Sequence, residues 1–142
     1  MADCIFCEIV HNREAAILME TEYSLAFFDI YPATLGHLLV IPKNHIPYLH
    51  LLGSEEIQAD LFRTLIKACN MLVNSNLCSD YEVIQSNGPY ADQDVEHIHF
   101  HIIPRYSNDH VHIELEPYKG MVSTQELNEL ANLINDPNHK KT

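Results

Sequence analysis

The chain has 142 residues, of which 46% are hydrophobic and 20% charged, a composition typical of a soluble globular protein with a single domain over 1–142. Its formal net charge is −12 and its eight Lys and Arg residues are scattered, which argues against the basic surface that nucleic-acid binding requires. No apolar run approaches the roughly 18 residues of a membrane span, and the N-terminus has no signal-peptide pattern, so we expect a cytoplasmic protein without a membrane partner.

The first third of the chain predicts short elements joined by tight loops. Apolar runs bounded by turn residues are typical of strands, and the most apolar of these runs indicate buried strands. Pro42 closes the last of them, because proline has no backbone N–H to donate to a neighbouring strand. The predicted elements are a helix or turn over 4–11 and strands over 15–20, 24–29 and 37–41.

The longest predicted helix runs from Ser54 to about Ser75. Ser54 is a good N-cap, and Glu55 in the first turn suits the positive end of the helix dipole. Apolar residues then recur every three or four positions and form one stripe, which predicts a face packed on the core. The residues of that stripe are Ile57, Leu61, Leu65, Cys69 and Leu72.

Two more strands are predicted beyond this helix, over 81–85 and 97–103. A polar loop over 86–96 joins them, and Pro104 is expected to end the second strand. With the three earlier strands, the sequence therefore predicts a sheet of about five strands.

A second, C-terminal helix is predicted to begin near Ser123, because Ser123 and Glu126 have the spacing of a capping box. Residues 136–142 are predicted to form a disordered tail. Successive strands with short connections, one long helix and this second helix favour an α+β fold with an antiparallel sheet.

The predicted strand over 97–103 carries histidines at every second position: His97, His99 and His101. Because successive side chains of a strand point to opposite faces, the three imidazoles share one face and the apolar residues between them share the other. Three interpretations are open: solvated histidines without a function, a catalytic zinc site, or a division of labour among a structural ligand, a nucleophile and a phosphate contact. A zinc site with all three is disfavoured, because His97 and His101 lie about 13 Å apart along a strand and each ligand must approach the ion to about 2 Å. In the third interpretation, a neutral imidazole attacks phosphorus and splits a difficult displacement into two easier steps.

The loop before the histidines contains neutral hydrogen-bond donors. The side-chain amides of Asn87 and Gln93, together with backbone N–H groups of the turns, are suited to surround phosphate oxygens. An Asn-Gly pair is also an ordinary turn signal, so this loop alone is a weak indication of a phosphate site.

Cys4 and Cys7 form a Cys-x-x-Cys pair close to the N-terminus. In a cytosolic chain such a pair indicates a metal site or a redox motif rather than a structural disulfide. A thioredoxin-like redox motif opens a helix after a strand, and no strand is predicted before this pair. Metal binding is therefore the favoured interpretation, with an incidental pair as the alternative.

These features together resemble the histidine-triad (HIT) family of nucleotide hydrolases and transferases, in particular its zinc-bearing, bacterial-type branch. The resemblance covers about residues 3–106 and rests on ordered segments. These segments are Cys4-Ile-Phe-Cys7, Leu25-Ala-Phe-Phe-Asp29-Ile30, Gly36-His37-Leu-Leu-Val-Ile-Pro-Lys43-Asn-His45, His97-Ile-His99-Phe-His101-Ile-Ile103 and Ile103-Pro104-Arg105-Tyr106. The resemblance implies a HIT-like sheet and, as is usual in the family, a homodimer.

The resemblance also implies a reaction. The enzyme would act on the α-phosphate of purine nucleoside 5′-phosphate derivatives, either phosphoramidates or dinucleoside polyphosphates. A covalent nucleotidyl-histidine intermediate would then be hydrolysed to release AMP or GMP. The alternative function is a nucleotide-binding regulatory module with weak or no turnover, which would show affinity without AMP release.

Site residues follow from the same resemblance, position by position. His99 resembles the nucleophile, and His37 and His101 resemble contacts to the α-phosphate and the leaving group. Asp29 resembles the carboxylate that accepts both ribose hydroxyls. The other implied substrate contacts are Phe6, Phe27 and Ile30 at the purine, and Asn87, Gln93 and the Val95 backbone at the phosphate. Plain core packing is the alternative interpretation of Phe27.

A structural zinc ion is implied as well. Zinc-bearing members pair the N-terminal Cys-x-x-Cys with two later histidines, and the matching positions here are His45 and His97. Cys4, Cys7, His45 and His97 would form a closed tetrahedral set, which is a structural pattern. His50 competes with His45 for its place.

Two residues depart from the family pattern. Asp92 stands where the family usually has Gly, and Asp94 stands where it usually has Ser or Thr. Two carboxylates beside an anionic phosphate repel it unless they point away, are protonated or bind a cation. The preference for a leaving group is therefore in doubt, whereas the fold is not.

Overall fold

The computed structural model describes residues 3–139, which divide into a unit that ends at Val111 and a unit that begins at His112. The first unit contains, in chain order, α1 (Ile5–Asn12), β1 (Ile17–Glu20), β2 (Ser24–Phe28), β3 (Leu38–Pro42), α2 (Glu55–Asn74), β4 (Asp80–Gln85) and β5 (Phe100–Arg105), with short 3₁₀ turns at Leu49–Leu51 and Pro89–Ala91. The second unit contains α3 (Thr124–Asn135). None of the helices in these described residues combines the length and the apolar character that a membrane span needs.

The five strands form one antiparallel sheet in the order β1-β2-β3-β5-β4. This confirms the predicted α+β fold with a five-stranded antiparallel sheet. The last strand in the chain, β5, lies between β3 and β4, so the segment that carries the histidines is paired on both sides.

Both faces of the sheet are covered, which explains the continuous apolar runs of its strands. On one face, α2 packs on a core that includes Ala26, Leu38, Val40, Ile98, Phe100 and Ile102. On the other face, residues of β2 and β3 pack against the N-terminal segment. This second cluster comprises Cys4, Phe6, Leu25, Phe27, Leu39 and Ile41. The N-terminal helix is thus held over the sheet face opposite to α2.

The helix signals in the sequence are confirmed. The hydroxyl of Ser54 accepts a hydrogen bond from the backbone N–H of Ile57 at 3.3 Å and caps α2. The hydroxyl of Ser123 accepts from the N–H of Glu126 at 3.2 Å and caps α3 in the same way. The undecided segment over 4–11 is the helix α1. Of the predicted disordered tail, residues 140–142 lie outside the described residues, and that prediction stays a prediction.

The predicted strand over 97–103 is wrong at both ends. It begins only at Phe100, because the N–H of Ile98 donates to the carbonyl of Ile46 at 2.8 Å instead of joining a neighbouring strand. Pro104 does not end it, because β4 still pairs there. The pairing with β3 stops at Ile102, and the hydroxyl of Thr34 donates to the Pro104 carbonyl at 2.7 Å on that side. In an antiparallel strand the N–H and C=O of one residue point the same way, so the missing N–H of Pro104 faces no strand partner.

Candidate active site

His99 has a defined proton position. Its Nδ1 lies 2.7 Å from the carbonyl oxygen of His97, and this oxygen can only accept a hydrogen bond. Nδ1 therefore carries the proton, and Nε2 of the neutral ring keeps its lone pair. The residue is only 2% exposed, and its ring meets the edge of the Phe6 ring at 5.0 Å between centroids. The geometry presents one nucleophilic nitrogen in a fixed orientation.

Asp94 contacts this nitrogen. Its Oδ1 lies 3.2 Å from Nε2 of His99, and the Asp94 side chain is 75% exposed. Both atoms are acceptors when His99 is neutral and Asp94 is ionised, so a hydrogen bond between them requires one proton on either group. Asp94 departs from the family pattern in the sequence, but that departure does not predict this contact.

His37 and His101 form a hydrogen-bonded pair, the histidine relay, in which the tautomer of each ring is defined. The backbone N–H of Ala33 donates to Nδ1 of His37 at 2.9 Å, so His37 carries its proton on Nε2. That Nε2 lies 2.9 Å from Nδ1 of His101 and donates to it, which leaves the remaining proton of His101 on its Nε2. Asp29 Oδ2 lies 3.7 Å from the same Nε2 of His37.

Burial keeps this relay uncharged. It lowers the pKa of His37, although Asp29 acts in the opposite direction. Burial, followed by the nearby His99 and His37, lowers the pKa of His101 to about 4. At neutral pH His101 is therefore a neutral N–H donor.

A cavity of about 320 Å³ opens beside His99 and His101. It is bounded by α1, by the end of β2 with its following loop, and by the segment before the histidines. Of the predicted substrate residues, Phe6, Phe27, Asp29, Ile30, Val95, His99 and His101 line it. Phe27 is 2% exposed and also belongs to the core, so both interpretations of this residue hold.

Several lining residues were missed by the sequence analysis. Ile5, Ile9 and Asn12 of α1 line the cavity, and so does Tyr31 after β2. Ile5 and Ile9 lie one helical turn apart, so a firm helix prediction over 4–11 would have found them, whereas Asn12 lies just beyond that range. Tyr31 carries no comparable signal in the sequence.

Asn87 and Gln93 do not line this cavity in the described residues. The Gln93 amide is engaged on both sides: its Oε1 accepts from the N–H of Gly88 and its Nε2 donates to the carbonyl of Pro47, both at 2.8 Å. Asn87 Oδ1 accepts from the N–H of Leu49 at 2.8 Å. These two amides hold the loop in place, and their role as phosphate donors stays a prediction.

The four predicted zinc ligands come together at the N-terminal end of α1. The ligand atoms of Cys4, Cys7, His45 and His97 all lie within 4.8 Å of one another. Nδ1 of His97 is 3.5 Å from Cys4 Sγ and 3.6 Å from Cys7 Sγ, and Nδ1 of His45 is 3.3 Å from Cys7 Sγ. Two ligands of a tetrahedral zinc ion at about 2.3 Å (sulfur) and 2.0 Å (nitrogen) lie about 3.5 Å apart, so the residues present fit the ion.

The surroundings of these ligands agree with metal binding. Nε2 of His97 lies 2.8 Å from the carbonyl of Pro42 and donates to it, which leaves Nδ1 free for an ion. Burial and the nearby Cys4 raise the pKa of the Cys7 thiol, so a cation is needed to hold it as a thiolate. His50 instead stacks on Tyr48, with 5.7 Å between ring centroids, and is not among the four clustered ligands.

Asp92 adopts a backbone conformation that favours glycine. Its φ is 59° and its ψ is 33°, the left-handed region. Aspartate tolerates this region better than most residues do. The departure from glycine at this position is therefore compatible with the observed turn.

The chain is similar to known proteins of one family. The family model described as the HIT domain matches residues 10–108. The adenosine 5′-monophosphoramidase hnt1 of Schizosaccharomyces pombe is 44% identical over 108 residues, which span 75% of this chain and 77% of that protein. The structure of a HIT family protein from Bacillus anthracis is 31% identical and superimposes with a TM-score of 0.85 over 93% of this chain and 94% of that one.

A third likeness bears on the metal cluster. The structure of a Zn-bound histidine triad family protein from Mycobacterium smegmatis is 30% identical, with a TM-score of 0.70 over 82% of this chain and 84% of that one. The domain match covers more than half of the chain and includes all three histidines of the triad. The chain therefore belongs to the HIT family.

Proposed function

We propose that this protein is a hydrolase that releases AMP or GMP from purine nucleoside 5′-phosphate derivatives substituted on the α-phosphate, through a nucleotidyl intermediate on His99. The observation that carries the proposal is the hydrogen bond from Nδ1 of His99 to the His97 carbonyl, which leaves Nε2 as a nucleophile beside a cavity of nucleoside size. The name of the Schizosaccharomyces pombe relative, an adenosine 5′-monophosphoramidase, supports the same reaction class.

The reaction proceeds in two displacements. Nε2 of His99 forms a bond to the α-phosphorus while the bond to the leaving group breaks, and the leaving group keeps the electron pair and takes up a proton from solvent. A water oxygen then attacks the same phosphorus and loses a proton to solvent, the Nε2–phosphorus bond breaks with its electron pair returning to Nε2, and the nucleoside monophosphate leaves. The neutral Nε2–H of His101 donates to a phosphate oxygen, whose developing charge it stabilises.

The cavity accounts for the rest of the substrate. Phe6, Phe27 and Ile30 offer apolar surface to the purine, and Asp29 offers two carboxylate oxygens to the ribose hydroxyls. The backbone N–H of Val95 donates a hydrogen bond to a phosphate oxygen. Asn87 and Gln93 contribute there only if they exchange their present partners for phosphate oxygens.

Zinc, in this proposal, is structural. Cys4, Cys7, His45 and His97 would hold it, and four protein ligands leave no open position for catalysis. The ion would tie the start of α1 to the segment that ends in His99, two residues after His97. Its effect on the reaction is positional.

We further propose a homodimer built on β4 and α2. β4 is an edge strand of the sheet, and such an edge offers free N–H and C=O groups to another strand. Val83 pairs with Ile102, so its side chain lies on the sheet face that α2 covers. On α2 itself, Phe62 and Ile66 are 54% and 58% exposed. A second copy of the chain would bury this surface about a two-fold axis. Val83→Asp is expected to convert a dimer into a monomer in sedimentation equilibrium, whereas a wild-type monomer would contradict the proposal.

The protein is proposed to act in the cytoplasm on a small-molecule substrate. None of its four cysteines forms a disulfide in the structure, which suits a reducing compartment. The net charge of −12 gives no support to a nucleic-acid or membrane-surface partner.

A nucleotide-binding module without turnover is the second candidate, because Asp94 contacts the nitrogen of His99 that would attack the phosphorus. Adenosine 5′-phosphoramidate separates the two functions. The hydrolase releases AMP from it and loses at least about 10³-fold in kcat in His99→Ala. A binder shows affinity for the compound in calorimetry and no AMP release. Retained hydrolysis in His99→Ala would remove His99 from the role of nucleophile.

A further inference from the structure

We propose that Asp94 selects substrates by the charge of their leaving group, favouring a cationic amine over a phosphate or carboxylate. This inference rests on the proposed function, since it concerns the second product of the same reaction. It starts from one contact, the 3.2 Å between Asp94 Oδ1 and Nε2 of His99.

The carboxylate of Asp94 stands where the reacting phosphorus must come. An attacking nitrogen and its phosphorus approach to about 3–3.5 Å before reaction, which is the distance that Asp94 Oδ1 now holds. Asp94 therefore moves aside when substrate binds. Its side chain is 75% exposed, so this motion meets no packed neighbour.

The carboxylate moves towards the leaving group. His99 is buried, and a displacement in line with Nε2 expels the leaving group from the opposite, open side of the phosphorus. Asp94 lines both the nucleotide cavity and a second cavity of about 570 Å³, and Ile5 and Val95 also line both. Among the described residues that the two cavities share, Asp94 is the charged one.

The second cavity is lined by acidic residues and by two of the proposed zinc ligands, Cys4 and His45. Asp3 and Glu96 line it together with Asp94, and among the described residues neither cavity is lined by a Lys or Arg. Glu96 accepts a hydrogen bond from the Tyr48 hydroxyl at 2.9 Å, which leaves its charge without a cationic partner there. The carboxylates of Asp94 and Glu96 would repel a polyphosphate leaving group, whereas they would attract an ammonium group on an amine.

Asp94 influences the step in which the leaving group departs. The bond between Nε2 of His99 and phosphorus forms, and the bond between phosphorus and the nitrogen of the leaving group breaks. That nitrogen keeps the electron pair, takes one proton from solvent and departs as an amine. Asp94 acts on this step only through its charge, so removal of the carboxylate changes the ranking of substrates.

Three phosphoramidates of AMP test this ranking because they share the nucleotide and the phosphorus–nitrogen bond. Their amines are propane-1,3-diamine, butylamine and β-alanine, which have similar lengths and end in a cation, a methyl group and an anion. The wild-type kcat/KM is expected to fall in that order. In Asp94→Ser and Asp94→Asn, the ratio between the cationic and the anionic substrate is expected to shrink on the order of tenfold.

Glu55→Gln is the matched control, because it removes one exposed carboxylate at the start of α2 and should leave the ratio unchanged. A ratio in Asp94→Ser equal to that of the wild type overturns the inference, and so does an equal gain for all three substrates. If the variants do not fold, the wild-type ratio is compared at 50 and 500 mM salt, where screening should reduce it; a constant ratio overturns the inference. Absence of AMP release from every substrate would instead contradict the proposed function.

Discussion

Nε2 of His37 donates a hydrogen bond to Nδ1 of His101 at 2.9 Å, and this contact decides which nitrogen of His101 carries the proton that faces the cavity. The backbone N–H of Ala33 sets the tautomer of His37 in turn, at 2.9 Å from its Nδ1. Through these two imidazoles, the backbone N–H of Ala33 fixes which nitrogen of His101 carries a proton at the candidate phosphate site.

The first prediction concerns this relay. In His37→Ala the His101 ring loses its donor, so a fraction of the rings takes the wrong tautomer. We expect kcat for AMP release to fall about 10- to 100-fold, with a smaller change in KM. Steady-state kinetics on adenosine 5′-phosphoramidate measures both constants. His50→Ala, an exposed histidine outside the relay, is the control and should keep its kcat; an unchanged kcat in His37→Ala would show that the relay is not needed.

The second prediction is a loss of stability in mild acid. The pKa of His101 is lowered to about 4 by burial and by His99 and His37, whereas an unfolded histidine titrates near 6.5. Between these values the unfolded chain binds a proton that the folded protein does not bind, so the free energy of unfolding falls as the pH drops from about 6.5 to 4. The contribution of His101 is about 1–3 kcal/mol.

Urea unfolding at pH 7 and pH 5 measures this effect by comparison of the wild type with His101→Gln. The loss of stability between the two pH values should be smaller in the variant. Groups that do not contact His101 are common to both proteins, so their contributions cancel in the difference. Equal losses in both proteins would show that His101 does not carry the effect.

The third prediction separates the zinc ligands from the other histidines. Wild-type protein is expected to hold about one zinc ion per chain, and Cys7→Ala or His45→Ala should lose most of it. His50→Ala and His99→Ala should retain it, because neither residue is among the four clustered ligands. Plasma emission spectrometry of the purified proteins gives the metal content. Zinc retained in His45→Ala but lost in His50→Ala would move the ligand assignment to His50.

The fourth prediction concerns the turn at Asp92, whose φ is 59°. Asp92→Gly should leave the free energy of unfolding within about 1 kcal/mol of the wild type, because glycine adopts this backbone conformation readily. Asp92→Val should lose about 1–3 kcal/mol, since a β-branched side chain is strained at positive φ. Thermal or urea unfolding measures the difference between the two. Equal stabilities for Gly and Val would show that this turn relaxes.

Local patterns predicted the regular elements well and their ends less well. The cap at Ser54 and the apolar stripe behind it predict α2 almost residue for residue, because a helix is specified by contacts within a few positions. The start of β5 depends on a partner far away in sequence. The N–H of Ile98 donates to Ile46, and nothing in the local pattern of the strand reveals that choice.

In the polar loop over 86–96, too, the local sequence does not reveal the tertiary contacts. An amide in a polar loop is a plausible phosphate donor, and Gln93 was predicted as one on that ground. In the fold, this amide bridges Gly88 and Pro47. Asp94, identified in the sequence as a departure from the family pattern, contacts the nucleophilic nitrogen of His99 directly. Which polar side chain reaches the site depends on how the loop closes, and the composition of the loop does not specify that.

The sequence by itself determined the family and the α+β sheet, because motifs and apolar runs depend on residue type and local order along the chain. It also determined the residue types suited to a structural zinc ion. Only the tertiary structure decided the proton positions of the histidines. The partners that set them are the carbonyl of His97, the N–H of Ala33 and the carbonyl of Pro42. Backbone groups are the same at every residue, so only the folded geometry tells which of them an imidazole will meet.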